Sequence, residues 1–295
     1  MRTSENKRSI GRSRSYLRRC DKAIMDSNPY ILGDQITAEG QRLVQQAIRF
    51  DREAKWLLER IAVKPGWRAV DVGCGPLGIL DLLAERVGPE GEVIGLEREP
   101  RLVEMGQSIL ARQGLSKVRF VLGDVYSSGL LPGSFVVVHA RLLLINLKDP
   151  ERALTALVEL VRPGGIVAVQ DIDQIPWLCE PPHPAWEALI GAFLVVWRAN
   201  GLDPLIGHRL PGLLRAAGLV RVEVEVHSRA DAPGTYHRKH LLALVGAVRD
   251  DVIKRGLFKE SELAALTSAL ERHLDAPETL VTRPLLFQAW GRKPT

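Results

Sequence analysis

The chain has 295 residues, of which 46% are hydrophobic, and its mean hydropathy is close to zero. These values are typical of a globular protein with one large domain and additions, or with two small domains. No apolar run reaches the ~20 residues that cross a bilayer, and the N terminus has no apolar signal core, so we expect a cytoplasmic protein without a membrane partner. Cys20, Cys74 and Cys179 are odd in number and far apart, which argues against a disulfide framework and a zinc site.

Most of the net charge of +5 comes from a basic N-terminal arm, residues 1–29. Up to position 19 a single acid, Glu5, stands against seven basic residues: Arg2, Lys7, Arg8, Arg12, Arg14, Arg18 and Arg19. Such an arm can bind nucleic acid, but the sequence shows no interleaved aromatic residues and no nucleic-acid-binding module behind it. We therefore expect no nucleic-acid partner. The arm is predicted to be a solvated tail or a helix that docks on a neighbouring subunit of a homo-oligomer.

The next elements lead into a glycine-rich turn. Apolar residues recur at helical spacing over about 39–60, which predicts one or two amphipathic helices packed against the core. The stretch 68–80 then reads as a buried strand, a turn and a helix that begins at Leu77. Gly73 and Gly75 have no Cβ, so a ligand can lie against the backbone of the turn. The first N–H groups of the helix favour an anionic group on that ligand.

Two kinds of cofactor suit this turn. Gly73, Gly75 and Gly78 have the G-x-G-x-x-G spacing of a dinucleotide site, and Glu97 follows 24 residues after Gly73, so an NAD-dependent enzyme is one interpretation. Asp71 precedes the first glycine by two residues, where a phosphate-binding turn gains nothing from a carboxylate. An acid there favours a cofactor with a cationic amino-acid end.

Acids also follow the next two predicted strands. Glu97 ends the strand 92–97, and Asp124 comes directly after the strand 118–122 and Gly123. Together with Asp71, they place three acids at the carboxyl ends of three successive strands, which is where open α/β sheets bind ligands. A carboxylate at Glu97 can accept hydrogen bonds from both hydroxyls of a ribose. This spaced triple is more specific than the glycine spacing and argues against NAD.

The string 70–75, Val-Asp-Val-Gly-Cys-Gly, resembles the first motif of the class I S-adenosylmethionine-dependent methyltransferases. The usual third glycine of that family would fall at Leu77, so a slightly reshaped turn is expected. Residues 162–165, Arg-Pro-Gly-Gly, resemble a second hallmark of the family. The resemblance covers about residues 30–291. It implies an α/β fold with a Rossmann-like, doubly wound, mostly parallel seven-stranded sheet, whose last strand is antiparallel, plus helical N-terminal and lid additions.

The resemblance also implies contacts between individual residues and S-adenosylmethionine. Glu97 would bind the ribose, Arg98 would flank the adenine, and Asp124 would accept from the adenine amino group while the next backbone N–H donates to the ring. Tyr30 would close over the methionine end, or else pack under a helix. The full set implied for the cofactor is Tyr30, Asp71, Gly73, Cys74, Gly75, Glu97, Arg98, Gly123, Asp124, Val125, Ala140 and Arg141.

The fourth predicted strand, 134–139, ends in His139. A neutral imidazole there could take a proton at neutral pH, so His139 is the candidate general base. The alternative is a strand-end histidine whose hydrogen bonds are satisfied. The resemblance places the backbone of Ala140 near the cofactor's amino group. Arg141 stands where amino-directed relatives carry the Asn of an Asn-Pro-Pro-aromatic motif, which argues against methylation of nucleobase or glutamine amides.

Candidate substrate residues follow the fifth strand. Asp171 and Asp173 either position a polar group of the substrate or cap the following segment. Residues 174–205 and about 235–275 are predicted to be helical lid insertions, and the first contains an apolar helical stripe. Most such stripes are plain core, but a lid is expected here from the resemblance. The predicted pocket for an apolar acceptor comprises Asp173, Trp177, Trp186, Phe193 and Trp197.

The sequence therefore predicts an S-adenosylmethionine-dependent methyltransferase of natural-product type that acts on an apolar small molecule. Terpenoids, prenylated aromatics and polyketides fit, and the acceptor atom stays open between carbon, oxygen and nitrogen. Catalysis would rest on positioning for in-line transfer. No metal is expected, because the pair His237 and His240 has no further ligands. Two alternatives remain: an NAD-dependent oxidoreductase, and a macromolecule-directed methyltransferase or non-catalytic binding protein that uses the basic arm.

Overall fold

The computed structural model describes residues 34–115, 117–231 and 235–295, so the basic arm and Tyr30 lie outside the described residues. The helices of the described chain are α1 (Asp34–Arg49), α2 (Asp51–Arg60), α3 (Leu80–Val87), α4 (Pro100–Arg112), α5 (Pro150–Leu160), α6 (Pro184–Ala199), α7 (Ile206–Ala216), α8 (His240–Ala247), α9 (Arg249–Lys254) and α10 (Glu260–Asp275). Short 3₁₀ turns occupy Leu144–Asn146 and Tyr236–Lys239.

The strands form two sheets. They are β1 (Arg68–Val72), β2 (Glu92–Glu97), β3 (Val118–Leu122), β4 (Phe135–Arg141), β5 (Val161–Asp173), β6 (Cys179–Glu180), β7 (Val220–His227), β8 (Ala230–Asp231), β9 (Leu280–Thr282) and β10 (Leu285–Arg292). Seven strands make one sheet in the order β3-β2-β1-β4-β5-β10-β7, mostly parallel with one antiparallel strand. The predicted Rossmann-like, doubly wound fold is confirmed. The second sheet, in the order β6-β9-β8, has strands of two or three residues and was not predicted.

The order of the large sheet creates the place where a ligand can bind. β1 pairs in parallel with β2 on one side and with β4 on the other, so the strand order reverses next to β1. Ligands of such sheets bind at the carboxyl ends of the strands beside this reversal. The four residues 69–72 of β1 are fully buried, as a central parallel strand requires. The glycine turn after β1 therefore opens at the reversal point.

Two helix boundaries refine the sequence-based prediction. The N-terminal helical pattern is broken at Phe50 (φ −98°, ψ 11°) into α1 and α2. The helix after the glycine turn begins at Leu80 and not at Leu77, because Gly78 has φ +54°, which an α-helix cannot contain.

The chain divides into two compact units. The first comprises Met1–Arg141, Ala156–Val167 and Arg292–Thr295, and the second comprises Leu142–Thr155 and Ala168–Gly291. Both segments predicted as lid insertions, 174–205 and 235–275, fall in the second unit. The single methyltransferase domain over 30–291, with these segments as lids, stays a proposal.

The second unit contains a buried carboxylate with a structural role. Asp171, fully buried within β5, accepts hydrogen bonds from the backbone N–H groups of Ile145 and Ile172, both at 3.1 Å. It therefore fixes the 3₁₀ turn at 144–146. Burial raises the pKa of Asp171 from 3.8 to about 7, although these hydrogen bonds act in the opposite direction.

Replacing Gly106 in α4 by alanine is expected to destabilise the protein. An added Cβ would overlap the Phe120 ring and approach the backbone oxygen of Pro76 to 2.6 Å, and the backbone cannot move aside easily. We expect a loss of ~1–3 kcal/mol in the free energy of unfolding, measured with urea. Gly191→Ala in α6 is the matched control, because nothing lies within 4 Å of its added Cβ and helix propensity alone gives up to ~1 kcal/mol of stabilisation. Equal effects of the two changes would contradict the described packing.

The raised pKa of Asp171 predicts a pH dependence of stability. The unfolded chain ionises this carboxyl near its ordinary pKa, and the folded chain does so only near 7. The contribution of Asp171 is therefore complete at low pH and is lost as the pH rises towards 7, by at most ~1.4 kcal/mol per pH unit. Between pH 4 and pH 7, the unfolding free energy of wild type should accordingly fall relative to that of Asp171→Asn. Asp250→Asn, at a side chain that is 99% exposed, is the control. A flat difference for Asp171→Asn would refute the assignment.

Candidate functional site

The three acids predicted from the sequence lie along one rim of the first unit. The parallel registers place Val72 opposite Leu96 and Glu97 opposite Leu122, so the carboxyl ends of β1, β2 and β3 are level. Asp71 lies in β1, Glu97 ends β2, and Asp124 follows β3. Since side chains at level strand ends share one edge, the acids surround the glycine turn that leaves β1.

The glycine turn has a backbone that favours glycine at three positions. Gly73, Gly75 and Gly78 have φ values of +68°, +58° and +54°, which residues with a Cβ rarely adopt. A Cβ on Gly78 would overlap a carboxylate oxygen of Asp71. The third glycine of the turn is therefore Gly78, which explains why Leu77 can occupy the usual place of a glycine while its own side chain is buried in the core.

Asp71 braces the turn from inside the sheet. Its Oδ2 accepts the N–H of Ile79 at 2.9 Å, and its Oδ1 lies 2.7 Å from Nδ1 of His139. The side chains of Asp71 and His139 are 2% and 0% exposed. The sequence predicts that the first N–H groups of the helix after the turn favour an anionic ligand. The N–H of Ile79 is instead bonded to the protein's own carboxylate. Both carboxylate oxygens of Asp71 are therefore engaged by the protein itself.

Glu97 braces the turn from the other side. Its Oε2 accepts the N–H of Gly75 at 2.9 Å, and its Oε1 accepts the N–H groups of Arg98 and Glu99 at 2.9 and 3.0 Å. A carboxylate oxygen has two acceptor positions, so Oε2 retains one for a ligand hydroxyl. Glu97 can hold the backbone and one ribose hydroxyl at the same time, whereas the sequence suggested contacts with both hydroxyls.

Asp124 offers an acceptor at the rim. Its Oδ1 accepts the N–H of Tyr126 at 2.9 Å, and Oδ2 accepts no hydrogen bond from the described residues. Next to it Val125 is buried, while Gly123 is half-buried. Arg98 is exposed after β2. An acceptor at Asp124 beside the backbone of Val125 suits the edge of an adenine, which presents a donor next to an acceptor.

The residues at the end of β4 are buried next to the glycine turn. His139 is fully buried with its Nδ1 directed at Asp71, which is the geometry of a satisfied strand-end histidine. Ala140 is fully buried. Arg141 is also buried, donates from Nη2 to the carbonyl oxygen of Gly78 at 2.9 Å, and lies 5.7 Å from the centre of the Phe50 ring. Its burial lowers the pKa of Arg141.

Cys74 lies at the centre of the turn, and its thiol has low reactivity. Burial raises the pKa of its thiol well above the ordinary value, and the negative charges of Asp71 and Glu97 act in the same direction. Its Sγ lies 3.3 Å from the carbonyl oxygen of Gly75. The thiol therefore stays protonated and packs as a small apolar group.

The predicted substrate residues lie in the second unit. Trp177, Trp186 and Phe193 are buried in one hydrophobic cluster, with the two indole rings in edge-to-face contact at 5.3 Å. Trp197 packs against this cluster and donates from Nε1 to the carbonyl oxygen of Ile145 at 3.3 Å. Asp173 accepts the backbone N–H of His208 at 3.2 Å and contacts its ring nitrogen at 2.8 Å. Asp173 thus caps the first turn of α7, whereas the sequence suggested either a contact with the substrate or a cap on the segment that directly follows it.

Two further observations bear on ligands. Within residues 34–115, 117–231 and 235–295, no group of three or more His, Cys, Asp or Glu side chains could hold a metal ion. None of the helices described is long and apolar enough to span a membrane. One buried cation was not predicted from the sequence. Arg238 in the second unit is only 1% exposed, and no local sequence pattern indicates this burial.

Comparison with known proteins identifies the family. A family described as methyltransferase domain matches residues 63–191. The trans-aconitate 2-methyltransferase of Methylobacterium radiotolerans is 32% identical over 209 residues, which cover 70% of this chain and 74% of that protein. The demethylmenaquinone methyltransferase of Geobacillus kaustophilus is 31% identical over 144 residues, and this chain spans only 61% of its length.

Solved structures agree on the fold. The YcgJ protein from Bacillus subtilis superimposes with a TM-score of 0.55 at 17% identity, and the match covers 83% of this chain and 99% of that one. At such identity the likeness concerns the fold alone. The sequence relatives, the braced glycine turn and the three rim acids agree on the cofactor, S-adenosylmethionine, and the dinucleotide interpretation of the glycine spacing is set aside. The chain belongs to the class I S-adenosylmethionine-dependent methyltransferases.

Proposed function

We propose that this enzyme transfers a methyl group to a small, largely apolar molecule of secondary metabolism, such as a terpenoid, a prenylated aromatic compound or a polyketide. Two relatives are named for small-molecule acceptors, trans-aconitate and demethylmenaquinone, which supports a small molecule over a macromolecule. Arg141 stands in place of the Asn that amino-directed relatives use, which supports an acceptor other than a nucleobase or glutamine amide.

Exposed apolar side chains of the second unit support an apolar acceptor. Leu178 and Leu280 are 59% and 47% exposed. They lie on neighbouring strand segments, because Glu180 pairs with Leu280 and the N–H of Leu178 bonds to Thr282. Positions 178 and 280 therefore share one face of the small sheet. Ile175 and Val195 add exposed apolar surface to the segment predicted as a lid.

The cofactor residues have separable roles in this proposal. S-adenosylmethionine, when bound, supplies the electrophilic methyl group. Glu97 holds the ribose while it fixes the N–H of Gly75, and Asp124 with the N–H of Val125 recognises the adenine. Gly73 and Gly75 let the backbone approach the cofactor. The observation that carries this assignment is the clamping of one glycine turn by two carboxylates at the carboxyl ends of adjacent strands.

His139 is proposed to position Asp71. Its ring is fully buried and its Nδ1 is committed to that carboxylate, so it supports the turn without reaching a substrate. The catalytic contribution of the protein is then orientation of the acceptor for in-line attack and exclusion of water. An acceptor that is a carbon nucleophile or an amine needs no strong base in this scheme.

Methyl transfer to apolar acceptors tests the proposed function. Full-length protein with isotope-labelled cofactor should transfer label to at least one member of a panel of prenylated phenols, terpenoids and aromatic polyketides. Glu97→Ala should abolish transfer and weaken the binding of S-adenosylhomocysteine, measured by calorimetry, more than about 100-fold, because it removes a charge-assisted ribose contact together with a brace of the turn. Asp71→Ala should also abolish cofactor binding.

Glu90→Ala, at an exposed residue in the turn before β2, is the matched control and should change neither transfer nor affinity. Label found only on RNA, or a melting temperature raised by NAD and not by S-adenosylhomocysteine, would contradict the proposal.

Two substitutions separate the positioning role of His139 from a role as base. His139→Leu removes the hydrogen-bond partner of Asp71 Oδ1, so we expect a loss of ~1–3 kcal/mol in stability and at least tenfold in affinity for S-adenosylhomocysteine. His139→Asn keeps a donor near the place of Nδ1 but cannot act as a base, so it should retain most of the affinity. Calorimetry and thermal unfolding measure both effects. Normal affinity and stability in His139→Leu would show that the histidine does not brace the turn.

A further inference from the structure

Two histidine rings stack where the start of α6 meets the end of α10, both within the second unit. His183 directly precedes α6, and His273 lies in the last turn of α10. Their ring centres are 4.7 Å apart and the ring planes are tilted by 30°. Each ring also makes one hydrogen bond to the backbone of the segment around the start of α6. The pair therefore connects the first turn of α6 with the last turn of α10.

These hydrogen bonds determine where the protons of the two rings lie. Nδ1 of His183 accepts the backbone N–H of Ala185 at 3.2 Å, so this nitrogen carries no proton. Nε2 of His273 lies 2.9 Å from the carbonyl oxygen of Pro181, which can only accept, so this nitrogen carries a proton. The arrangement thus requires a neutral His183, whereas His273 can keep its hydrogen bond in either state of charge.

His183 is the N-cap of α6. The first N–H groups of a helix have no partner within the helix, and a side-chain acceptor at the N-cap satisfies one of them. Histidine can serve as this acceptor only while it is neutral. Protonation of His183 removes the acceptor and places a positive charge at the positive end of the helix dipole. Protonation therefore breaks the cap.

The surroundings of His183 oppose its protonation. Burial lowers the pKa of His183 from its ordinary value, and the positive charges of His273 and Arg272 on α10 act in the same direction. His183 is therefore neutral near pH 7. It gains a proton only below the ordinary pKa range of histidine, so the cap is intact at neutral pH and is lost on acidification.

Acidic side chains close to the pair in the sequence do not offset these positive charges. Glu271 and Asp275 of α10 lie 3.0 and 2.9 Å from Nζ of Lys239. Glu180 of β6 and Glu187 in the first turn of α6 are exposed. In the part of the chain that the structure describes, no salt bridge joins either ring of the pair to an acid. A proton on His183 would therefore have no carboxylate partner.

The capped turn carries side chains of the large hydrophobic cluster of the second unit. Ala185 and Trp186 are both buried there, together with Leu270 and Leu274 of α10. The backbone N–H of Trp186 also bonds to the carbonyl oxygen of His183 at 2.9 Å. A change at His183 thus acts directly on the turn by which α6 begins its contact with α10.

We propose that His183 and His273 form an acid-sensitive switch, in which neutral His183 holds the first turn of α6 against α10 and protonation of its Nδ1 releases that turn. This histidine switch is a property of the second unit and goes beyond the proposed function. The released turn belongs to the segment 174–205, which the sequence predicts to be a lid, so the switch would make the mobility of that segment depend on pH.

Hydrogen exchange of single amides in the full chain tests the histidine switch. The opening equilibrium of the Ala185 and Trp186 amides, corrected for the intrinsic exchange rate at each pH, is followed by NMR from about pH 7.5 to about pH 5. We expect it to rise at least about fivefold in wild type, since each unit by which folding lowers a pKa is worth at most about tenfold.

His183→Asn separates the charge of the cap from its presence. Asparagine is a favourable N-cap that does not titrate, so the rise on acidification should fall below about twofold in this variant. His208→Asn, at a histidine in α7 whose side chain is 55% exposed, is the matched control and should keep the pH dependence of wild type. His273→Gln can still donate to Pro181 but carries no charge, so the rise should begin at a higher pH.

Three outcomes would overturn the histidine switch. The first is an opening equilibrium of these amides that does not change with pH in wild type. The second is an equal rise in His183→Asn. The third is an equal rise for the amides of Val70 and Val72 in β1, because that result would show that acid unfolds the whole protein and not the first turn of α6.

Discussion

The carboxylate of Asp71 joins three parts of the first unit that are distant in the sequence. It binds the N–H of Ile79 at the end of the glycine turn and the ring of His139 on the neighbouring strand, and it is nearly inaccessible to water. Glu97 holds the same turn at Gly75 from the next strand. A turn with three positive-φ glycines has many conformations available when it is free. Two buried carboxylates select one of them before any ligand arrives, which is the preorganisation that tight binding needs.

Much of this arrangement could be predicted from the sequence. Short buried strands alternating with helical patterns specify a mostly parallel sheet, and acids after successive strands must meet at one edge. Those two rules predicted the edge of the sheet at which a ligand binds, and the resemblance of residues 70–75 and 162–165 to the methyltransferase motifs implied the fold and the cofactor. The sequence also indicated that the turn differs from the usual one, since Leu77 replaces a glycine.

Other features depend on contacts that a linear pattern does not contain. The role of Asp71 as a brace depends on its register opposite His139, 68 residues away, and could not be inferred from either residue alone. The small sheet was missed because strands of two or three residues are shorter than any periodicity that reveals a strand. The sequence favoured a lid for the apolar stripe that includes Trp186, and the contacts bury the rings of Trp177 and Trp186 together in one hydrophobic cluster.

The buried thiol of Cys74 has a consequence for the conditions under which the enzyme works. Peroxides and alkylating reagents attack the thiolate, and a sulfur that is buried between two negative charges is held in the unreactive protonated form. The glycine turn thus contains a thiol whose reactive thiolate form is disfavoured by burial. Thiol-directed reagents are therefore expected to spare Cys74 as long as the turn stays folded.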